Sequence, residues 1–252
     1  KHKLPFTTEY PDEKFLNRKK ICLSLKTFEP IYDYNLLKEI AYSHVKKCPD
    51  LKIKLNTEVV GGRIDKDGTK SLVIADSNNN KRAETFDYVI NTTYANYNKF
   101  SKWFEFPIKP IRIDLVEALI VKLPLPKISL AVMDGPFTNL VPTSKNGVFT
   151  LVHIKESILE RYVPKSGIPH TKKNKKTMIK ETLQKSQEWF PIIGKAEVVD
   201  VRYVLRAVNA NREHDDARPS DVVYHGFDCW SVLGGKIVNC VSTAKKIALE
   251  IK

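Results

Sequence analysis

The feature that most constrains this chain is a glycine pair set between an apolar strand-like run and a helix-like run. Residues 230–233 are apolar or small, Gly234 and Gly235 follow, and apolar residues then recur with helical spacing through 244–251. A strand that turns into a helix through glycines aims unpaired backbone N–H groups at whatever lies beyond the turn. Because glycine has no Cβ, a ligand can approach that backbone closely. The junction therefore predicts a ligand held at a helix start.

Length and composition describe an ordinary globular protein. With 252 residues and 42% hydrophobic residues, the chain can bury one large core or two intertwined ones. No apolar run approaches the ~20 residues of a membrane span, so none is expected. The four cysteines show no C-x-x-C spacing. We therefore expect free thiols in a reducing compartment and a cytoplasmic protein.

The net charge of +13 leaves several partners open: nucleic acid, an anionic surface or an anionic substrate. Basic residues are spread almost evenly, and the densest cluster, at 170–176, has no interleaved aromatic residues. This pattern favours a solvated basic surface, and we predict no nucleic-acid partner. His214, Asp215 and Asp216 are adjacent, whereas metal ligands usually come from separated positions, so no metal site is expected.

The first half of the chain has the order helix, short strands, buried strand. Apolar positions on one face predict a helix over 33–45, with Asp33 as its N-cap. Strands are predicted at 51–55, 58–64 and 71–75, and the apolar run at 86–91 predicts a strand buried on both faces. This order is typical of the second half of a dinucleotide-binding domain with a small antiparallel meander as its crossover. The G-x-G-x-x-G turn of a first half does not occur in the sequence.

From about residue 107 the pattern becomes that of a mostly antiparallel sheet. Alternating or apolar runs predict its strands at 111–123, 129–133, 138–141, 148–154 and 196–206. A helix is predicted at 175–190, a polar loop at 209–220 and a last short strand at 222–224. The fold class is thus mixed α/β.

Four stretches, in this order, resemble one family: Glu29-Pro30-Ile31-Tyr32-Asp33, Asn56-Thr57-Glu58-Val59, Asp87-Tyr88-Val89-Ile90-Asn91-Thr92-Thr93 and Ser231-Val232-Leu233-Gly234-Gly235-Lys236-Ile237. The chain resembles the FAD-dependent oxidoreductases of the D-amino-acid-oxidase-like superfamily, with a C-terminal motif similar to that of the glycerol-phosphate dehydrogenases. The resemblance implies a partial Rossmann-like FAD-binding domain with a three-stranded meander, at 31–106 and 222–252. It also implies an antiparallel-sheet substrate domain at 1–30 and 107–221.

The resemblance further implies FAD as the cofactor and assigns residues to it. Val59 would lie against the adenine, and Thr92 and Thr93 would pass near the dinucleotide. The backbone of Gly234, Gly235, Lys236 and Ile237 would face the flavin. Hydride reduction places negative charge on the flavin's N1–C2=O edge, and N–H groups at a helix start can stabilise it. The alternative is a glycine pair that only permits tight packing.

Two arginines, a histidine and a phenylalanine are the remaining candidates, all with structural alternatives. By resemblance, Arg206 faces the substrate side of the flavin, and Arg218 precedes the strand leading back to it. A guanidinium suits a carboxylate or phosphate because it donates two parallel hydrogen bonds. His214 is a candidate proton acceptor, and Phe137 a candidate wall of the substrate pocket. Surface positions for Arg206, Arg218 and His214, and a core position for Phe137, are the competing interpretations.

The leading expectation is an FAD-dependent oxidoreductase, or its C-terminal portion, that dehydrogenates a small anionic amine or alcohol by hydride transfer to flavin. Because the phosphate-binding turn is absent from 1–252, we expect a further N-terminal segment or a second chain to complete the FAD site. The alternatives are a cofactor-free binding or assembly module with a flavoprotein fold and, third, a basic nucleic-acid-binding protein.

Overall fold

The computed structural model describes residues 5–133, 138–170, 176–210 and 219–251. The chain divides into two compact units. The first unit comprises Lys1–Lys52, Leu115–Glu160 and Asn174–Val204. The second comprises Ile53–Asp114, Arg161–Lys173 and Leu205–Lys252.

Four α-helices and fourteen strands are found in the described part of the chain. The helices are α1 (Tyr34–Lys46), α2 (Tyr97–Trp103), α3 (Ile179–Gln187) and α4 (Cys240–Glu250). The strands of the first half are β1 (Phe6–Thr8), β2 (Leu25–Thr27), β3 (Glu58–Ile64), β4 (Lys70–Ala75), β5 (Lys81–Phe86), β6 (Val89–Asn91) and β7 (Ile111–Lys122). Those of the second half are β8 (Leu130–Ala131), β9 (Thr138–Pro142), β10 (Val148–His153), β11 (Ile158–Tyr162), β12 (Glu197–Asn209), β13 (Asp221–Tyr224) and β14 (Cys229–Leu233).

The predicted mixed α/β fold class is confirmed, and the strands form four sheets in the described residues. The largest has the order β11-β7-β10-β9-β8 with β12 also paired to β7, and β1 pairs with β2. A second sheet has the order β13-β14-β6, in which β14 and β6 run parallel. The meander is β3-β4-β5, antiparallel throughout.

The first unit has a closed apolar core under the largest sheet. Alternation along the strands sends Leu119 and Val121 of β7, Leu140 of β9 and Leu151 of β10 to one cluster, and each is 0% exposed. Phe190 packs into the same cluster from the segment after α3. These residues form one buried apolar core.

The second unit has two smaller cores. One joins the meander to β6, β14 and α2 through Leu72, Val89, Phe100 and Cys229. The other consists of five buried residues, of which Leu233 belongs to β14: Tyr97, Ile111, Ile113, Ala207 and Leu233. The first of these cores includes residues of both β6 and β14, and the second includes the last residue of β14.

Three of the strand and helix predictions were wrong in detail. Residues 51–55 form no strand in the structure, and β5, whose residues are mostly polar and exposed, is the third strand of the meander. The run 86–91 is not buried on both faces, because Ile90 is 41% exposed. The last helix begins at Cys240, after a 3₁₀ turn at Ile237–Asn239, because Lys236 is extended with φ −144° and ψ 146°.

The predicted N-cap of α1 is present, but the apolar side chains of the helix are not buried. The Asp33 carboxylate accepts hydrogen bonds from the N–H groups of Asn35 (2.8 Å) and Leu36 (3.2 Å). All residues of α1 are described, and none of them is buried. Its apolar stripe is therefore open, with Leu36 55% and Ile40 46% exposed.

Candidate functional site

The parallel pair β6 and β14 sets the position of the candidate site within the second unit. Val89, Ile90 and Asn91 of β6 stand opposite Cys229, Trp230 and Ser231 of β14. The segments that follow these two strands are Thr92–Thr93 and Gly234–Gly235. Ligands of α/β folds bind outside the carboxyl ends of parallel strands, and both predicted cofactor-binding segments lie at such ends.

A small pocket of about 80 Å³, the Gly-Gly pocket, lies beyond the end of β14. Its lining residues are Tyr94, Arg206, Ala207, Val208, Asn209, Pro219, Leu233, Gly234 and Gly235. It brings together three of the sequence-predicted residues: Arg206, Gly234 and Gly235. A Cβ built on Gly234 would meet no atom within 4 Å, so the backbone there borders open space. The N–H of Gly235 donates to Ser220 Oγ at 3.4 Å.

Tyr94 is a wall of this pocket that the sequence reasoning missed. Its hydroxyl oxygen accepts the N–H of Ala207 at 3.0 Å, which fixes the β12 backbone beside Arg206. Tyr94 also has a φ of 54°, in the left-handed region that a residue with a Cβ seldom adopts. No sequence signal marks such a residue, because its conformation is imposed by the surrounding fold.

A larger groove of about 360 Å³, the β6 groove, lies between the meander and α2. Its lining residues are Thr57, Glu58, Val59, Leu72, Val89, Ile90, Asn91, Thr93, Asn96, Lys99, Phe100 and Trp103. It contains two sequence-predicted residues, Val59 and Thr93. Most of its wall is apolar, and Lys99 is its only cation among the described residues.

Asn91 ties the end of β6 to β14. Its side-chain amide donates to the Tyr97 carbonyl at 3.1 Å and to Ser231 Oγ at 3.2 Å. Its Oδ1 accepts from both the N–H and the hydroxyl of Thr93, at 3.1 and 2.7 Å. A buried polar group with every bond made gives a well-defined geometry, so Asn91 holds Thr93 at the edge of the groove.

The remaining predicted residues do not line either cavity or are not described. Thr92, Lys236 and Ile237 are exposed and lie outside both lining sets. Phe137, His214 and Arg218 lie outside the described residues. The described residues contain no group of three or more His, Cys, Asp or Glu side chains placed to hold a metal ion. No helix in the described ranges is long and apolar enough to cross a membrane.

A buried carboxylate, Asp114, organises the arginine side of the Gly-Gly pocket. Asp114 is 0% exposed and its Oδ2 accepts from Arg206 Nε at 3.1 Å and from Arg206 Nη2. Its Oδ1 accepts from Arg161 Nε at 2.9 Å, while Arg161 Nη2 lies 3.4 Å from Oδ2. Arg112 Nε is a third cation, 3.4 Å from Oδ1.

The electrostatics of this cluster follow from its composition. Burial by itself raises the pKa of the Asp114 carboxyl, but hydrogen bonds from Arg161 and Arg206 outweigh it and hold that pKa below its ordinary value. Asp114 is therefore ionised at neutral pH. No local pattern in the sequence predicts this cluster, because Asp114 is 47 residues from Arg161 and 92 residues from Arg206.

All four cysteines are free, and Cys229, the first residue of β14, is buried. Burial raises the pKa of the Cys229 thiol to about 11. A thiol in that state is a poor nucleophile at neutral pH, so it fits a packing role.

Neither a family model nor a curated protein matches the sequence. Solved structures do match the fold. Glycerol-3-phosphate dehydrogenase from Bacillus halodurans, solved with FAD, covers 95% of this chain at 14% identity with a TM-score of 0.64. Glycine oxidase from Geobacillus kaustophilus covers 77% at 14% identity with a TM-score of 0.51. The chain spans 47% and 46% of these two structures, respectively. The likeness shows that the fold is one used by flavoproteins.

Proposed function

We propose that residues 1–252 are a portion of an FAD-dependent oxidoreductase that dehydrogenates a small anionic amine or alcohol by hydride transfer to flavin. The observation that carries the proposal is the Gly-Gly pocket. There, a guanidinium and a glycine turn, predicted separately for substrate and cofactor, line one cavity at the carboxyl end of a parallel strand.

The backbone at Gly234 in the Gly-Gly pocket fits a flavin, and substitution of this glycine can test the fit. A ring system needs close approach to the backbone, and the position that a Cβ would take at Gly234 is empty space. Gly234, Gly235, Lys236 and Ile237 would hold the flavin end, while Val59 and Thr93 of the β6 groove, with Thr92, would hold the adenine and dinucleotide part. When bound, the flavin supplies the hydride acceptor.

Arg206 would bind the anionic group of the substrate. Its guanidinium is 19% exposed and lines the pocket, so an anion there meets a partly desolvated donor. A charge-assisted hydrogen bond in such surroundings is stronger than one in open water. His214, Arg218 and Phe137 remain candidates for the proton acceptor, a second anion contact and the pocket wall.

The pyrophosphate-binding part of the FAD site would come from a segment outside residues 1–252, in this polypeptide or in a second one. Two observations support this. The edge of β6 away from β14 has no neighbouring strand among the described residues. The groove beside it exposes apolar side chains, including Ile90 at 41% and Val59 at 37%. Parallel strands are normally buried, and the unpaired N–H and C=O groups of an edge can bond to another strand. The outer edge of β6 can therefore accept a further strand.

The test is flavin binding by the whole protein and by two glycine variants. We expect the purified protein to show the visible absorption of flavin, and Gly234→Ala to weaken FAD binding about tenfold, as expected for crowding one close contact. Since the added methyl group meets no protein atom, the melting temperature of apo Gly234→Ala should stay unchanged. Gly61→Ala is the matched control, because its Cβ would make only ordinary contacts, at 3.7 Å from Val73.

A whole protein that binds no FAD would overturn the enzyme proposal. It would favour the alternative, a cofactor-free binding or assembly module. The open stripe of α1 and the apolar β6 groove are the surfaces such a module would use.

A further inference from the structure

Three guanidinium groups, those of Arg112, Arg161 and Arg206, lie around the buried carboxylate of Asp114. Arg206 donates twice to Oδ2, Arg161 donates to both carboxylate oxygens, and Arg112 forms a third ion pair. One bidentate arginine would neutralise Asp114. Counting three positive groups against one negative group leaves a sum of +2 in the cluster.

The directions of the hydrogen bonds show what Asp114 does to Arg206. Asp114 Oδ2 engages Nε and Nη2, which are on one edge of the guanidinium. The Nη1 end then lies on the side away from Asp114, and Arg206 is a lining residue of the Gly-Gly pocket. A planar fork held along one edge presents its remaining N–H groups in a fixed direction.

We infer that Asp114 is a positioning residue: it holds the Arg206 guanidinium so that its free N–H groups are fixed for an oxyanion in the Gly-Gly pocket. Arg161 braces the carboxylate from its other oxygen, and it offsets the negative charge that would otherwise weaken anion binding at Arg206. The inference rests on the proposed function in taking Arg206 as the anion-binding group. The oxyanion is a carboxylate or a phosphate group.

The burial of Asp114 supports this role over simple strand stability. Taking a carboxylate out of water is costly, and an apolar residue packs a buried strand position at least as well. Its neighbours on β7, Ile113 and Leu115, are apolar and buried. The charge of Asp114 restricts the arginine side chains to one arrangement. The entropy cost of ordering them is therefore met when the chain folds and not when an anion binds.

The sharpest test is the charge-matched variant D114N/R161Q. Removing one carboxylate and one guanidinium leaves the cluster's sum of charges at +2, so long-range attraction for anions is preserved while the clamp on Arg206 is lost. With arginine side chains labelled with ¹⁵N, the Arg206 Nε–H signal is followed during titration with inorganic phosphate and, separately, with acetate. R82Q is the control, since Arg82 is exposed and pairs with Glu84 in the meander.

Of phosphate and acetate, we follow the anion that the unaltered protein binds more tightly. We expect D114N/R161Q to bind it about tenfold more weakly, the factor for one charge-assisted hydrogen bond, and R82Q to bind it with unchanged affinity. Water exchange of the Arg206 Nε–H should also accelerate about tenfold, because Asp114 no longer holds it. Unchanged affinity in D114N/R161Q would overturn the inference. So would tighter binding in D114N alone, which is what mere removal of a nearby negative charge predicts.

The two proposals fail in different ways. If neither anion shifts the Arg206 signal in the unaltered protein, the anion-binding part of the proposed function is overturned, and with it the role given to Asp114. If the anion binds but D114N/R161Q behaves like the unaltered protein, only the positioning role is lost. Should D114N/R161Q not fold, the Nε–H exchange of Arg206 in the unaltered protein decides. Exchange as fast as that of the exposed Arg202 would overturn the clamp.

Discussion

The largest sheet and the β13-β14-β6 sheet both contain apolar strands, but the chain covers them differently. In β7, β9 and β10 the inward residues are fully buried against residues from the same unit. In β6 the middle residue, Ile90, is 41% exposed and the strand's outer edge has no partner among the described residues. The inward face of the first sheet is covered within these residues, whereas β6 has apolar residues but is partly exposed. A buried-strand pattern therefore predicts that a strand will be covered, but not by which segment.

The largest expected difference between the sheets is in the cost of removing an aliphatic side chain. Leu140→Ala, at a residue that is 0% exposed, should lower the free energy of unfolding by about 4 kcal/mol, since it leaves a cavity in a closed core. Ile90→Ala should cost less than about 0.5 kcal/mol, because its side chain is half in water. Urea denaturation followed by circular dichroism measures both. Similar costs for the two variants would show that β6 is covered as well as β9.

Acid should distinguish the buried charge of β7 from exposed charges. The folded-state pKa of Asp114 lies below its ordinary value of 3.8, so its stabilisation is fully present above about pH 4 and is lost as pH falls through the folded pKa. Asp114→Asn should lower the free energy of unfolding by about 3 kcal/mol at neutral pH. The difference in unfolding free energy between the two proteins should narrow as the pH falls below about 4, towards the folded-state pKa of Asp114.

The control for this experiment is Asp12→Asn. Asp12 is exposed, with its side chain 53% accessible and paired only with Lys14 at 3.0 Å. Surface pairs of this kind contribute little, so the urea midpoint of this variant at neutral pH should match that of the unaltered protein. A gap for Asp114→Asn that stays constant down to pH 2 would show that the carboxylate is not the source of the effect.

The smallest expected effect is a difference in hydrogen exchange along β6. The Val89 N–H donates to the Asp228 carbonyl at 3.1 Å, so by strand alternation the Ile90 N–H points to the open edge. We expect Ile90 to exchange on the order of a hundredfold faster than residues of β10, which has a neighbour on each side. Protection of Ile90 in residues 1–252 alone would mean that the edge is already covered.

Local patterns predicted the elements whose neighbours are near in sequence. β3 matches its predicted bounds, and the Asp33 cap was found because a capping side chain acts on the next turn. β5 was missed because its charged residues Lys81, Arg82 and Glu84 give no apolar alternation. Residues 51–55 have the alternation of a strand, but alternation does not supply a pairing partner.

The site was predictable in its glycines and Arg206, which belong to short motifs, but not in what surrounds them. Tyr94 and Asp114 act through contacts that only the folded chain creates, with Ala207 and with two distant arginines. A sequence shows that an arginine is present, but not which of its N–H groups another residue has already taken.

The open stripe of α1 has a consequence for how this segment is handled in solution. A helix of 13 residues with no buried residue gains little from packing and is marginally stable by its own hydrogen bonds. We expect trypsin to cut after Lys38 within minutes when residues 1–252 are alone, and much more slowly once a polypeptide covers Leu36 and Ile40. Cleavage at Lys38 that is equally slow in both cases would contradict this. The rate of cleavage at Lys38 therefore reports whether the apolar stripe of α1 is covered.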